Sequence, residues 1–218
     1  RVSQLEIDTL CVGYGFVPRV GLPQLAGCEL VCHAELGGWA PRVDAWGETS
    51  IPNVWAAGDG AGVAGAIVAE LAGELAGLAI AVRAGALDSS ACEAHAAPIR
   101  QRLSRLARFR GALDRLGRIR PGLSSLADEQ TIVCRCEELT RAEVDQATTT
   151  GSVTLRALKV ATRLGMGPCQ GRMCQPAIAH RLAAIGQTTL DSAGPPSFRP
   201  PLTPVTLGDL AGNTGENP

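Results

Sequence analysis

The chain has 218 residues, of which 45% are hydrophobic, 19% charged and 3% aromatic. That excludes a disordered or fibrous segment and leaves room for one medium domain or two small ones, with a core of Ala, Leu and Val rather than rings. A formal charge of −1 lacks the positive field of a nucleic-acid or anionic-membrane binder, so small molecules and proteins are the expected partners.

Residues 1–8 carry neither an initiator Met nor an apolar signal core, and read as the interior of a domain. Residues 8–13 (Asp-Thr-Leu-Cys-Val-Gly) form an apolar run closed by glycine, the pattern of a buried strand in an α/β sheet. Residues 53–57 predict a second short strand, followed at once by Gly58-Asp59-Gly60 and a long Ala/Gly/Leu helix over 61–82. That helix is apolar enough to suggest a membrane span, but Glu70 and Glu74 would each cost roughly 2.5–3.5 kcal/mol at a bilayer centre, so a buried helix of a soluble protein is expected. Its small residues, Gly73 and Gly77 among them, predict close approach to another backbone.

Residues 90–120 are helical in pattern, and from Arg100 onward eight arginines face one acid, Asp114. No Gly-rich loop accompanies them, so the expectation is a connecting helix whose charges face water or a partner subunit. Only one of the 20 basic residues is lysine, Lys159, and no function is drawn from that skew.

From residue 131 the texture becomes that of a compact, all-helical unit. Thr140-Arg141-Ala142-Glu143 is a capping box, in which hydroxyl and carboxylate each satisfy an orphan backbone N–H, and Gly151 suits the stop of that helix. A second helix is expected from Thr154 through Leu155, Leu158 and Ala161 to about Gly165. A third has Pro176 in its first turn and carries Ile178, Leu182 and Ile185 before Gly186. Residues 187–218, rich in Pro, Gly and Thr, predict an extended or flexible tail.

The strongest chemical signal is Cys134-Arg135-Cys136, then 32 residues, then Cys169-Gln-Gly-Arg-Met-Cys174. Each pair falls at an expected helix start, where free backbone N–H groups can bond sulfur and the helix dipole favours negative charge. Gly165, Gly167, Pro168 and Gly171 supply a loop with little side-chain bulk. Four thiolates so placed suit a 2Fe-2S cluster. Three other readings remain open: buried cysteines acting as small hydrophobes, a structural zinc site, and a redox-active Cys169/Cys174 disulfide working against a flavin. Eight cysteines in this length are too sparse for a secreted disulfide scaffold and point to a reducing compartment, by default the cytoplasm. Cys11, Cys28, Cys32 and Cys92 read as structural, even with His33 beside Cys32.

Residues 49–66 read Thr-Ser-Ile-Pro-Asn-Val-Trp-Ala-Ala-Gly-Asp-Gly-Ala-Gly-Val-Ala-Gly-Ala. A strand ending in Gly-Asp at a helix N-terminus points N–H groups at an anion and offers a carboxylate to a polyol hydroxyl. An ordinary strand-to-helix turn has the same outline.

This stretch resembles the C-terminal FAD-binding motif of two-dinucleotide-binding-domain flavoproteins, with Asp59 matching the Asp that contacts FAD and Gly58, Gly60, Gly65 and Ala66 matching its small positions. Residues 8–19 look like the strand closing the NAD(P)-type insertion of that family. Val133-Cys-Arg-Cys-Glu-Glu-Leu-Thr140 and the segment from Leu158 to Cys174 resemble the bacterioferritin-associated-ferredoxin-like 2Fe-2S domain. Modules in this order, together with the tail from Phe198 to Ala211, are similar to the alpha subunits of heteromeric opine, hydroxyproline and proline dehydrogenases and to the corresponding subunit of hydrogen cyanide synthase. That family's N-terminal GxGxxG unit has no counterpart ahead of this region.

The resemblance implies a Rossmann-like α/β FAD-binding portion, C-terminal part only, over residues 1–89, a helical connector over 90–130, a small all-helical 2Fe-2S domain over 131–186 and an extended tail over 187–218. It implies FAD and a 2Fe-2S cluster as cofactors, with NAD(P) a further candidate, and Cys134, Cys136, Cys169 and Cys174 as the iron ligands. It also implies a partner beta subunit of the glycine- or D-amino-acid-oxidase-like flavoprotein type that oxidises an amine or amino acid, and a one-electron acceptor. No catalytic acid or base is then expected in this chain, and no transmembrane segment, with membrane association only through partners. Arg135 and Arg172, beside the ligands, could offset the charge of a reduced cluster or stand solvated. A stand-alone NAD(P)H-dependent flavoprotein reductase and a zinc-bound interaction module are the alternatives.

Overall fold

The computed structural model describes residues 4–11, 13, 15–34, 37–117 and 121–212. Its elements are α1 (Gly21–Leu25), β1 (Leu30–His33), β2 (Gly38–Pro41), a 3-10 turn (Gly58–Gly60), α2 (Ala66–Arg83), α3 (Ser89–Gly117), α4 (Pro121–Ser124), β3 (Ile132–Cys134), β4 (Leu139–Thr140), α5 (Arg141–Thr149), α6 (Leu155–Thr162), α7 (Gln175–Ile185), a 3-10 turn (Leu190–Ala193) and α8 (Leu207–Leu210).

Among the described residues the only sheets are two antiparallel pairs, β1–β2 and β3–β4. Neither expected α/β strand forms. The described part of 8–13 is exposed and irregular, with Val12 outside the described residues, and residues 53–57 contribute one isolated bridge, Glu48 to Trp55. A strand buried on both faces needs neighbours to pair its N–H and C=O groups; the described part of 8–13 has none among the described residues, and residues 54–56 meet only 47–49 in a short antiparallel turn, with Thr49 N–H donating to Val54 C=O and Ala56 N–H to Gly47 C=O.

The long helix begins at Ala66, five residues later than expected, because Gly65 (φ 89°) turns the chain into it. It packs on α3, burying Leu71, Leu75 and Ala76 against a helix whose buried residues are Cys92 and Ala96. Nothing lies within 4 Å of where a Cβ would stand on Gly73 or Gly77, so the expected close approach at these glycines is not found among the described residues. With 29 residues against 18, α3 outruns α2 by about 16 Å and leaves Phe109, Leu113 and Leu116 exposed. No helix among the described residues is long and apolar enough to cross a membrane.

The second half follows its capping signals. Thr140 accepts from the Glu143 N–H while the Glu143 carboxylate accepts from the Thr140 N–H, starting α5. Thr154 accepts from the Ala157 N–H and starts α6, which ends at Thr162 where Arg163 turns left-handed (φ 64°), and Pro176 sits in the first turn of α7. The Asp145 carboxylate on α5 accepts from Arg141 and takes two bonds from Arg181 on α7, bracing the two helices. The expected all-helical unit also carries the β3–β4 pair.

Val144, Leu155, Leu158, Leu164, Ile178, Cys134 and Cys174 form one buried core. Trp39 of β2 belongs to it, with Leu30 and Cys32 of β1 packed alongside, so a hairpin 90 or so residues upstream closes the core of the cysteine-bearing unit. The tail is tied down rather than free: Gln24 of α1 donates to Pro196 C=O and accepts from the Phe198 N–H, Lys159 of α6 donates to Ser197 C=O, and Gln170 donates to Pro201 C=O.

Candidate metal centre and flavin cleft

Cys134 ends β3, Cys136 follows in the turn to β4, Cys169 lies in the loop between α6 and α7, and Cys174 caps α7. Cys134 and Cys174 are buried, Cys169 is half-buried and Cys136 is exposed. The loop reaches these positions through three left-handed residues, Gly165 (φ 77°), Gln170 (φ 51°) and Gly171 (φ 82°). Gln175, buried at 3% exposure, presses its amide against Gly165 and Gly171, where a Cβ at either position would overlap it. Gly167 lies directly against Cys136.

The four thiols lie within electrostatic reach of one another: Cys174 feels both Cys134 and Cys169, and Cys169 feels Cys136. Burial pushes the Cys174 thiol up to about 12, with a further push from the charge and hydrogen bond of Cys134 and the charge of Cys169. At Cys169 burial opposes ionisation, but the backbone N–H of Met173, the Cys136 thiol and the N–H groups of Gly171 and Arg172 outweigh it and hold the thiol below its ordinary value. Arg172 donates to the Cys169 C=O at 3.0 Å.

Among the described residues no three His, Cys, Asp or Glu side chains converge as donors around a single ion. Four cysteine thiolates are the donor set that a dinuclear iron–sulfur cluster would take. A thiolate donor set, backbone N–H groups turned toward the Cys169 sulfur and a Gly167 that leaves no side chain over Cys136 all fit such a group. Cys11 is exposed, Cys28 and Cys92 are buried apart from this set, and Cys28 lies 3.5 Å from the Thr49 hydroxyl.

In the first half, a cleft of about 250 Å³ opens between the 43–47 loop, residues 56–64, α2 and Leu103 of α3. Trp46, Gly47, Gly58, Gly62 and Ala69 line it, while Asp59, Gly60, Gly65 and Ala66 do not. Gly58 (φ 73°) would put a Cβ 3.4 Å from that of Ala69, so the turn lies close on α2. No side chain caps the N-terminus of α2, which leaves its first N–H groups free for an anion. Arg110 of α3 anchors the loop through Val63 C=O at 2.5 Å, and Arg100 stacks over the Trp46 ring at 4.1 Å.

Trp39 and Gln175 escaped sequence reasoning. The signal for Trp39 was available, since Leu30-Val-Cys-His33 and Gly38-Trp-Ala-Pro41 are two short apolar runs flanking glycine, a hairpin outline. Gln175 carried no signal, because only the fold reveals that two glycine turns meet its amide.

Residues 128–213 match the Sarcosine oxidase A3 domain family. The chain is homologous over nearly its whole length to the hydrogen cyanide synthase subunit HcnB of Pseudomonas protegens, with 36% identity covering 94% of this chain and 43% of that protein. An opine oxidase subunit of Rhizobium meliloti is 34% identical over 95% of this chain and 39% of its own length. An anaerobic glycerol-3-phosphate dehydrogenase subunit of Haloferax volcanii is 36% identical over a shorter stretch, 34% of this chain and 13% of that protein. The chain thus spans about two fifths of the length of the first two relatives. No solved structure matches it.

Proposed function

We propose, proceeding from that homology to redox-enzyme subunits, that this chain is the electron-transfer portion of a heteromeric flavin-dependent dehydrogenase or oxidase acting on an amine, amino acid or opine. The observation that carries the reading is the meeting of the two cysteine motifs: Cys134 and Cys174 are buried in one core, and Gly167 of the loop that bears Cys169 lies directly against Cys136. These four residues would hold a 2Fe-2S cluster, and Gly58, Asp59, Gly60, Gly65 and Ala66 would face FAD. A flavin exchanges electrons in pairs and an iron–sulfur cluster one at a time, so the two together would connect a two-electron oxidation to one-electron carriers.

The chain's own residues supply placement and screening. The free N–H groups at the start of α2 would face the FAD pyrophosphate, and the exposed Asp59 carboxylate would accept from a ribityl or ribose hydroxyl. The backbone N–H groups of Gly171, Arg172 and Met173 would stabilise thiolate at Cys169. Burial of Cys134 and Cys174 keeps water from one side of the centre, while the exposed Cys136 side faces outward toward an electron acceptor. Substrate oxidation belongs in this reading to a partner flavoprotein of the glycine- or D-amino-acid-oxidase type, and this chain holds no catalytic acid or base.

Anaerobic purification of the intact subunit from its host tests the reading. Iron and acid-labile sulfide in equal amounts, flavin, and a co-eluting flavoprotein partner are expected. Equimolar zinc with neither iron nor sulfide would overturn it in favour of a structural module, and a subunit that elutes alone and reduces its flavin with NADH would overturn the heteromeric part.

A further inference from the structure

Trp39 is 5% exposed in the core that contains Cys134 and Cys174, and its indole Nε1–H has no hydrogen-bond partner. Indole is a donor only, and a buried N–H without an acceptor costs about 1–3 kcal/mol. The side chain is held where it is, since all four residues of β2 are buried and Trp39 pairs directly across from Cys32 on β1. Most of the surrounding core is hydrocarbon, Val144, Leu155, Leu158 and Ile178 among it; its buried sulfurs are those of Cys134 and Cys174, with Cys32 packed against it. A neutral thiol is a weak acceptor, whereas a metal-bound thiolate or a bridging sulfide carries negative charge and accepts well.

We propose that Trp39 is a positioning residue of the centre, donating its Nε1–H to a sulfur on the buried side of the cluster, beside Cys134 and Cys174, and thereby favouring the more negative reduced form. This rests on the reading of the four cysteines as ligands of a 2Fe-2S cluster. Hydrogen bonds to cluster sulfurs are one of the means by which proteins set the reduction potential.

The test is Trp39→Phe in the intact, partner-bound subunit, measured first by iron and sulfide content and then by redox titration followed by EPR. Unchanged cluster content is expected, with a reduced-to-oxidised ratio at fixed applied potential roughly tenfold lower, equivalent to about 59 mV for a one-electron couple. A full cluster with an unchanged potential would overturn the role of Trp39 and leave the cluster reading standing. Absence of iron and sulfide from the wild-type protein would instead overturn the reading beneath it. Should the variant not assemble, pulsed EPR of wild-type protein carrying indole-¹⁵N tryptophan decides: a ¹⁵N coupling to the reduced cluster is expected, and its absence overturns the proposal.

Discussion

Gly167 lies so close to Cys136 that a Cβ on the glycine would overlap the Cβ of the cysteine. The loop before α7 and the turn after β3 therefore meet backbone to side chain, which brings the CxC and CxxxxC halves together. Gly167→Ala is expected to displace Cys136 and weaken retention of iron by roughly 10–100-fold, the usual cost of disturbing a residue that supports a ligand. Iron release to a chelator measures it, and wild-type release kinetics would contradict this role for Gly167.

The metal-free thiols should differ sharply in reactivity. Thiolate is the nucleophile, so Cys169, held below its ordinary value, should alkylate early in a pH series, and Cys174, pushed up to about 12, should resist until strongly alkaline pH. The Cys174 shift also sets a sign: its pKa is raised in the folded state, so the stability this proton contributes is present below the ordinary thiol value of about 8.5 and is lost as pH climbs toward the folded value. Mass-spectrometric mapping after timed iodoacetamide labelling of the apo-protein checks the order, and equal labelling of both cysteines would contradict it.

Leu158 is fully buried in the core shared with Cys134 and Cys174. Leu158→Ala should cost about 2–5 kcal/mol in urea unfolding of the cysteine-bearing unit. Thr140→Ala, which removes the capping hydroxyl of α5, should cost about 1 kcal/mol, largely restored by Thr140→Ser. Equal effects of the two alanine variants would contradict the packing described.

The helices of the second half were legible because their ends are written in side chains: Thr140 with Glu143, Thr154, and Pro176 ahead of Ile178 and Leu182. Local hydrogen bonds decide such boundaries, and local hydrogen bonds can be read from short windows. The meeting of the two cysteine motifs was legible only as spacing, since it depends on how the loop before α7 folds against Cys136. The first half misled at residues 8–13 and 53–57, where apolar runs resemble strands but, among the described residues, the first finds no pairing neighbour and the second meets only the short 47–49 turn. Trp39 in the cysteine core is a long-range contact that no local period reports.

Asp59 is exposed in the 3-10 turn that packs on α2. Asp59→Ala in the intact subunit should weaken flavin binding by roughly 10–100-fold, the cost of one hydrogen bond to a charged group, while leaving iron content unchanged. Flavin released on dilution and iron analysis of the same samples check both halves, and loss of iron alongside flavin would contradict the separation of the two sites.

The most direct measurement is EPR of the anaerobically isolated protein following dithionite reduction, in the wild type and in Cys136→Ser. A dinuclear cluster held by Cys134, Cys136, Cys169 and Cys174 should give a low-temperature signal of about one electron spin per chain in the wild type, and Cys136→Ser should abolish it with flavin retained. A wild-type sample that stays silent after iron–sulfur reconstitution, or a signal of full intensity in the serine variant, would contradict the assignment.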